Sequence, residues 1–315
     1  MCIKSQVKNN VILIVTAVLI LLSISLIITY GSQLFPELGI PTWDDIFAAA
    51  GLKGDNSIPD DCLSVHFIDV GQGDCILIKT QQGSALIDAG DTHSKDSVLR
   101  YLYNQNIKDL QYIFVTHPDS DHIGSMPEVL NSFPVSKIVM SDIRKEDLPT
   151  TRIYEKLLNT IYEKKIKAAK GKPGDVFELG DVKISVIAPL IQTNDLNNMS
   201  LVLRISYGNN TFLLTGDAEF KSENDILKSN VELKSDVLKA GHHGSKSSCS
   251  DKFLKKVEPD FAVISCGRGN SFGHPTKETM DRLTAAGAKI LRTDFNGSIV
   301  FVSDGNNLYY LCERD

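Results

Sequence analysis

Hydrophobic and polar positions divide the chain into three stretches of unlike character. From Val11 to Ile28 the residues are uncharged, with only Thr16, Ser23 and Ser25 as polar interruptions. That length can span a bilayer, and the run lacks the polar stripe that a soluble helix would show. No small-x-small cleavage pair follows at Thr29, Tyr30 and Gly31, so the pattern predicts a cytoplasmic tail and an uncleaved transmembrane anchor over residues 1–31. Residues 32–61 read as an acidic linker. Within it Trp43, Ile46, Phe47 and Ala50 fall at near-helical spacing behind Thr42, which predicts one short helix over Thr42–Leu52.

From residue 62 onward the periodicity changes to short apolar runs separated by turn residues. LSVHFIDV, CILIKT and SALIDAG, punctuated by Gly71-Gln72-Gly73-Asp74 and Gln81-Gln82-Gly83, predict an antiparallel meander. A helix at Ser97–Asn104, a strand at Leu110–Thr116, a helix from about Met126 and a strand at Lys137–Met140 then alternate as in βαβ units. Ile153, Tyr154, Leu157, Leu158, Ile161 and Tyr162 give Thr151–Lys164 one buried helical face. Strands return in VFELG, VKISVIAP, SLVLRISYG and NTFLLTGD, joined by hairpin-like turns. The last third alternates strands (DVLKAG, FAVISCG, KILRTD, SIVFVSD, NLYYLCE) with helices near Asp251–Val257 and Thr276–Ala286. Two mixed sheets with helices outside them predict an α/β, four-layer αββα sandwich over residues 62–315. The C-terminal ends of its strands would then gather their loops on one edge.

Charge refines this picture. The net charge is −6, which excludes a protein that coats nucleic acid through bulk electrostatics. Lys4 and Lys8 precede the apolar run, whereas Glu37, Asp44, Asp45, Asp55, Asp60 and Asp61 follow it. The positive-inside rule therefore puts the N-terminus in the cytoplasm and the folded region outside it, giving a single-pass protein of the cell membrane. Lys164, Lys165, Lys167, Lys170 and Lys172 form a local basic run. It reads either as a guide for a polyanion or as a solvated helix end and hairpin, with no interleaved aromatics for base stacking. The six cysteines include no CxxC pair, which speaks against a cysteine-built zinc site. Cys62 and Cys312 flank the folded region and would either staple its ends or be small buried thiols.

Candidate chemistry concentrates behind strands. THPDSDHIGS places His117, Asp119, Asp121 and His122 on one loop, where two carboxylates and two imidazoles repel unless a cation or solvent offsets them. Gly216-Asp217 and Gly241-His242-His243-Gly244-Ser245 each follow a predicted strand. Either would pass for an ordinary polar turn alone, but with the first loop they suggest a metal centre.

These residues resemble the metallo-β-lactamase-fold hydrolases, whose signature loop reads HxHxDH and here reads HxDxDH. The variant, together with DVGQGD (Asp69–Asp74), LIDAG (Leu86–Gly90), NNMSLVLR, LLTGD, GHHGS and FGHP (Phe272–Pro275), is similar to the C-terminal domain of ComEC-type competence proteins. The match runs from about residue 63 to 315. Those proteins carry a large multi-span region before this domain, whereas this chain has one candidate span and is not expected to be a DNA channel itself. A third histidine usual in the fold is replaced by the stretch containing Asn197, Asn198 and Ser200.

The resemblance implies two divalent metal ions, Zn²⁺ or Mn²⁺. His117 and Asp119 would hold one, Asp121 and His122 the other, Asp217 would bridge, and His242 or His243 would complete the second. Asp for His makes the first site harder. Asp88 is expected to hold the loop by hydrogen bonds. Asp121 would orient the attacking water. Ser245, Lys246, Arg268, Asn270 and His274 would bind phosphate or protonate the leaving group, with Lys246 and His274 as catalytic candidates. His66 and His93 are expected to be structural or exposed. The implied activity is that of a phosphodiesterase or nuclease acting on DNA or RNA outside the membrane, in a competence-like or DNA-uptake setting. The alternatives are a phosphorylcholine-type esterase of envelope polymers and a non-catalytic surface binding module.

Overall fold

The structure, a computed structural model, describes residues 2–34, 40–41, 58–59 and 61–314, with the side chains of 2–14 and 32–34 excepted. The chain divides into two units, residues 1–58 and 59–315. In the first, Cys2–Leu34 forms one helix. Among the described residues no helix is long and apolar enough to cross a membrane; the span expected over Val11–Ile28 extends beyond the described side chains. The helix expected over Thr42–Leu52 lies outside the described residues altogether.

The second unit contains fifteen strands: β1 (Leu63–Phe67), β2 (Ile76–Thr80), β3 (Gly83–Ile87), β4 (Leu110–Val115), β5 (Val135–Ser141), β6 (Lys167–Gly171), β7 (Val176–Leu179), β8 (Val182–Ala188), β9 (Val202–Tyr207), β10 (Asn210–Leu214), β11 (Val237–Lys239), β12 (Phe261–Ile264), β13 (Lys289–Arg292), β14 (Ile299–Ser303) and β15 (Leu308–Cys312). They form an eight-stranded sheet in the order β15-β14-β1-β2-β3-β4-β5-β6 and a seven-stranded sheet in the order β13-β12-β11-β10-β9-β8-β7. Both are mixed. β1 to β3 pair antiparallel while β3 to β6 run parallel; β7 to β10 pair antiparallel while β10 to β13 run parallel.

Alternation decides which side chain goes to which layer. On β1, Leu63, Val65 and Phe67 enter the core between the sheets with Phe114, Leu203, Phe212 and Phe301. His66 points the other way and meets Tyr101 of the helix Lys95–Asn104. That helix joins Met126–Ser132 and Arg152–Glu163 over the outer face of the first sheet, around Ile113, Val115 and Ile138. Phe220–Lys228, Asp251–Val257 and Lys277–Ala285 cover the second sheet around Leu213, Leu238 and Ile264. The four expected layers are present. Truncating a central ring such as Phe114 or Phe212 to Ala would cost about 3–5 kcal/mol.

Two expectations need correction. The lysine run is not a hairpin: Lys167–Gly171 is the edge strand β6, paired in parallel with Lys137–Ser141. Its alternating apolar content is slight because an edge needs only one neighbour, and exposed lysines there discourage a further strand from adding. Cys62 is a free thiol, so the ends are not stapled. Register explains why: Leu63 pairs with Ser303 and Ser303 with Leu308, whereas Cys312 lies opposite Ile299, at the other end of the ladder. Cys75, Cys249 and Cys266 are buried thiols.

Candidate metal centre

Successive parallel strands end at one edge of the sandwich, and each delivers polar residues there. β3 is followed by Asp88, β4 by Thr116 and His117, β10 by Gly216 and Asp217, and β11 by His242 and His243. Close backbone packing locks these turns together. Asp74 N–H donates to the Asp121 carbonyl at 3.2 Å, and a Cβ on Gly73 (φ +128°) would lie 2.2 Å from that oxygen. Only glycine tolerates this approach. His242 and His243 adopt left-handed backbone at φ 46° and 53°, a strain of about 1–3 kcal/mol each that concentrates where function fixes side-chain direction.

The imidazoles are aimed by acceptors on their far sides. Asp88, fully buried, takes a hydrogen bond from His122 Nδ1 at 2.7 Å, and others from the Thr116 amide at 2.8 Å and hydroxyl at 2.6 Å. His243 Nδ1 donates to the Ser265 carbonyl at 2.8 Å, and His242 Nδ1 to Glu219 at 2.9 Å. In each ring Nε2 is thereby directed inward as the free ligand atom. His122 Nε2 lies 3.4 Å from one Asp217 oxygen; His243 Nε2 lies 3.3 Å from the other and 3.2 Å from Asp121. His242 Nε2 is more distant from Asp217, at 3.9 Å, and His117 Nε2 lies 3.7 Å from Asp119.

Among the described residues three groups that share His122 have ligand atoms within 4.8 Å of one another: His117, His122 and Asp217; Asp121, His122 and His243; and Asp74, Asp88 and His122. The Nε2 atoms of His117, His122 and His243 and Asp217 Oδ1 are buried without a hydrogen-bond partner. Buried acceptors without partners converging on one place are costly, and a cation would satisfy their lone pairs. Electrostatics agrees. Burial opposes a charged His122, yet Asp217 and Asp88 hold its pKa well above the ordinary imidazole range. Burial likewise opposes a charged His243, but Asp217 and Asp121 raise its pKa to about 9. Asp121 and Asp217 stay ionised despite burial because His243 and His122 face both. The carboxylates demand positive charge, so the residues fit a divalent metal.

A cleft of about 600 Å³ opens over this group, lined by Gln72, Asp91, His93, Asp119, Asp121, Asp217, His242, His243, Phe272 and His274 among others. His274 packs edge-on to His242 at 5.3 Å. Burial and the neighbouring His242 and His243 pull its pKa down to about 4, so at neutral pH the ring is uncharged. Lys246 and Arg268 are exposed and do not line the cleft. Ser245 Oγ is engaged with Ser247. Asn270 binds four backbone groups of its own loop, at Gly267, Phe272 and twice at His274. His66 is buried and bonded to Ser64 and Tyr101, while the His93 side chain is 97% exposed. Ser200 and Asn198, where the fold's third histidine would stand, support neighbours instead: Ser200 Oγ accepts from the Asp217 amide and Asn198 Oδ1 from Glu219 and Ser222.

Sequence reasoning missed Lys239. It is fully buried at the end of β11, with Nζ 2.6 Å from Asp74, 3.0 Å from the Gly216 carbonyl and 3.7 Å from Asp217. A lysine inside the apolar run DVLKA was the available signal.

Two mixed sheets lie face to face, with histidines and aspartates gathered on loops at one edge. The chain belongs to the metallo-beta-lactamase superfamily, whose family model matches residues 68–268; its members are generally metal-dependent hydrolases. It is similar to ComE operon protein 3 of Bacillus subtilis (33% identical over 263 residues, 76% of this chain and 33% of that protein). It is also similar to competence protein ComA of Neisseria gonorrhoeae (30% identical, 84% of this chain and 36% of that protein). The chain thus spans about a third of the length of these ComEC-type relatives. The metallo-beta-lactamase fold protein YhfI from Bacillus subtilis shares the fold at a TM-score of 0.52 and 16% identity, over 77% of this chain and all of that one.

Proposed function

We propose that this chain is a membrane-anchored phosphodiesterase that cuts DNA or RNA outside the cytoplasmic membrane, using two divalent ions, Zn²⁺ or Mn²⁺. The observation that carries the reading is the convergence of the orphaned Nε2 atoms of His117, His122 and His243 on Asp217, with Asp121 beside them. His117, His122 and Asp217 would hold one ion, and Asp121, His122 or Asp217 and His243 the other, with Asp119 at the open side. His243 is preferred to His242 because its Nε2 is nearer both carboxylates.

When bound, divalent cations supply Lewis acidity toward phosphate oxygens and a water made nucleophilic near neutral pH. The chain's own residues do the rest. Asp88 fixes the His122 ring, and the Ser265 carbonyl fixes His243, so the donors need no rearrangement to bind. Asp121, 28% exposed and ionised, would accept a hydrogen bond from the attacking water and so orient it. His274, uncharged at pH 7, keeps Nδ1 buried without a partner beside the cleft.

Carboxylates among the donors favour a harder cation such as Mn²⁺, which binds phosphate oxygens well. The competence names of the relatives and a more distant one named probable RNase MJ4 of Methanocaldococcus jannaschii (25% identical) support a nucleic-acid substrate. The apolar run Val11–Ile28 with lysines before it and acids after it supports anchoring with the hydrolase domain outside. Cleavage of single-stranded DNA by the full chain, dependent on added Mn²⁺ or Zn²⁺ and lost in Asp217→Ala, tests the reading.

A further inference from the structure

Phe272 stands at the rim of the same cleft with two thirds of its side chain exposed. Its ring stacks on His274 with centroids 5.9 Å apart and planes 25° apart, and His274 in turn abuts His242. Asn270 ties the Phe272 and His274 amides to one carboxamide oxygen, at 3.1 and 3.0 Å, and its amide nitrogen binds Gly267 and His274 carbonyls. An aromatic face is therefore held open to solvent within the wall that borders the metal donors.

Charge around the cleft argues for what covers that face. Asp91, Asp119, Asp121 and Asp217 line it, and among the described residues no lysine or arginine does. A nucleic-acid strand would gain no backbone neutralisation from these walls beyond the metals themselves. Base contacts are then the further source of binding energy, and an exposed aromatic face is the group that takes a base by stacking without regard to sequence. One ring with acidic neighbours but no second aromatic does not form the cage that a quaternary ammonium needs.

Resting on the phosphodiesterase reading, we infer that Phe272 is a specificity-determining residue that stacks the nucleobase flanking the scissile phosphate. Substrates with a base there are preferred over the same backbone without one. The exposed ring can be changed with little risk to folding, and Phe272→Trp keeps a stacking face while Phe272→Ala and Phe272→Leu do not.

The test compares kcat/KM of the full chain, with Mn²⁺, on a single-stranded oligodeoxynucleotide and on the same strand carrying a tetrahydrofuran abasic residue at the position beside the cut. Metal content and Tm of each variant are measured alongside. Wild type and Phe272→Trp should prefer the base-bearing site by about five- to a hundredfold, and in Phe272→Ala and Phe272→Leu that ratio should fall toward one with metal content unchanged. A wild-type ratio near one, or a ratio that survives Phe272→Ala, overturns the inference and leaves the phosphodiesterase reading standing. Failure of wild type to cut either strand, or RNA of the same sequence, with any divalent metal overturns both.

Discussion

Lys239 Nζ lies 2.6 Å from Asp74 Oδ2, and neither side chain reaches solvent. The pair joins the DVGQGD loop to the end of β11. It sets a fixed cation among the buried carboxylates Asp74, Asp88 and Asp217, which overcome the burial that would otherwise discharge the lysine. Removing one partner of such a pair strands the other. Lys239→Met should lower the stability of the metal-free chain by about 3–5 kcal/mol, and Lys239→Met with Asp74→Asn by less than the two single losses combined. Urea unfolding measures both; a loss below about 1 kcal/mol in Lys239→Met would show that the pair does not hold the edge together.

Metal binding should depend on the aiming of the rings as well as on the ligands. His122→Ala and Asp217→Ala remove ligand atoms and should lower the number of transition-metal ions bound per chain, while the ligands' place on loops leaves the sandwich folded. Asp88→Asn keeps every ligand but weakens the hold on His122, and should cost about 10–100-fold in affinity. Competition with a chromogenic chelator gives both quantities. Unaltered affinity in Asp88→Asn would mean that His122 is positioned by packing alone.

Acid should unfold the protein partly through a residue far from the metal donors. Burial, and then Lys79, lowers the His66 pKa to about 3 in the folded chain, against about 6.5 when unfolded. The unfolded state therefore binds the proton first as pH falls. The stabilisation from a neutral His66 is complete above about pH 6.5 and is lost downward to about pH 3, by up to about 1.4 kcal/mol per pH unit. His66→Gln should show a shallower decline over that window, measured by denaturant midpoints at a series of pH values. Equal slopes would mean that His66 is not the group titrating.

The exposed lysines of β6 are predicted to guard an edge. Lys170 is already paired with Asp142, and all five of the run are exposed. Lys167→Val with Lys170→Val should increase self-association in light scattering, whereas replacing the run by glutamine should leave DNA cleavage within about twofold. A large fall in cleavage of DNA but not of a small diester would instead mark the run as a guide for polymer.

Topology has its own test. Protease added to intact cells should digest the hydrolase domain while the protein sediments with membranes. A freely soluble product would contradict the anchor, and complete protection would contradict the orientation.

The layers were legible in the sequence because alternation and helical spacing are local: LSVHF and SALI declare their faces residue by residue. The candidate loops were legible because the segments bearing His117, Asp121, His122 and Asp217 follow apolar runs that end abruptly. What could not be read was how distant segments meet. Nothing local says that Lys239 turns inward to Asp74, more than 160 residues earlier, or that the Ser265 carbonyl turns His243 rather than His242 toward Asp121. β6 was missed for a related reason. An edge strand is defined by its single neighbour, Val135–Ser141, and its own composition, KAAKG, suggests solvent.

The central claim, a metal-dependent phosphodiesterase for nucleic acid, is tested most directly by one substrate panel. The full chain and Asp217→Ala are each given single-stranded DNA, RNA, bis-p-nitrophenyl phosphate and p-nitrophenyl phosphorylcholine, with Mn²⁺, with Zn²⁺ and with chelator. The account predicts cleavage of DNA or RNA by the wild-type chain with Mn²⁺ or Zn²⁺, none with chelator, and none by Asp217→Ala. Hydrolysis of p-nitrophenyl phosphorylcholine with no cut in either nucleic acid under any metal would contradict it and make the chain an esterase of small phosphodiesters.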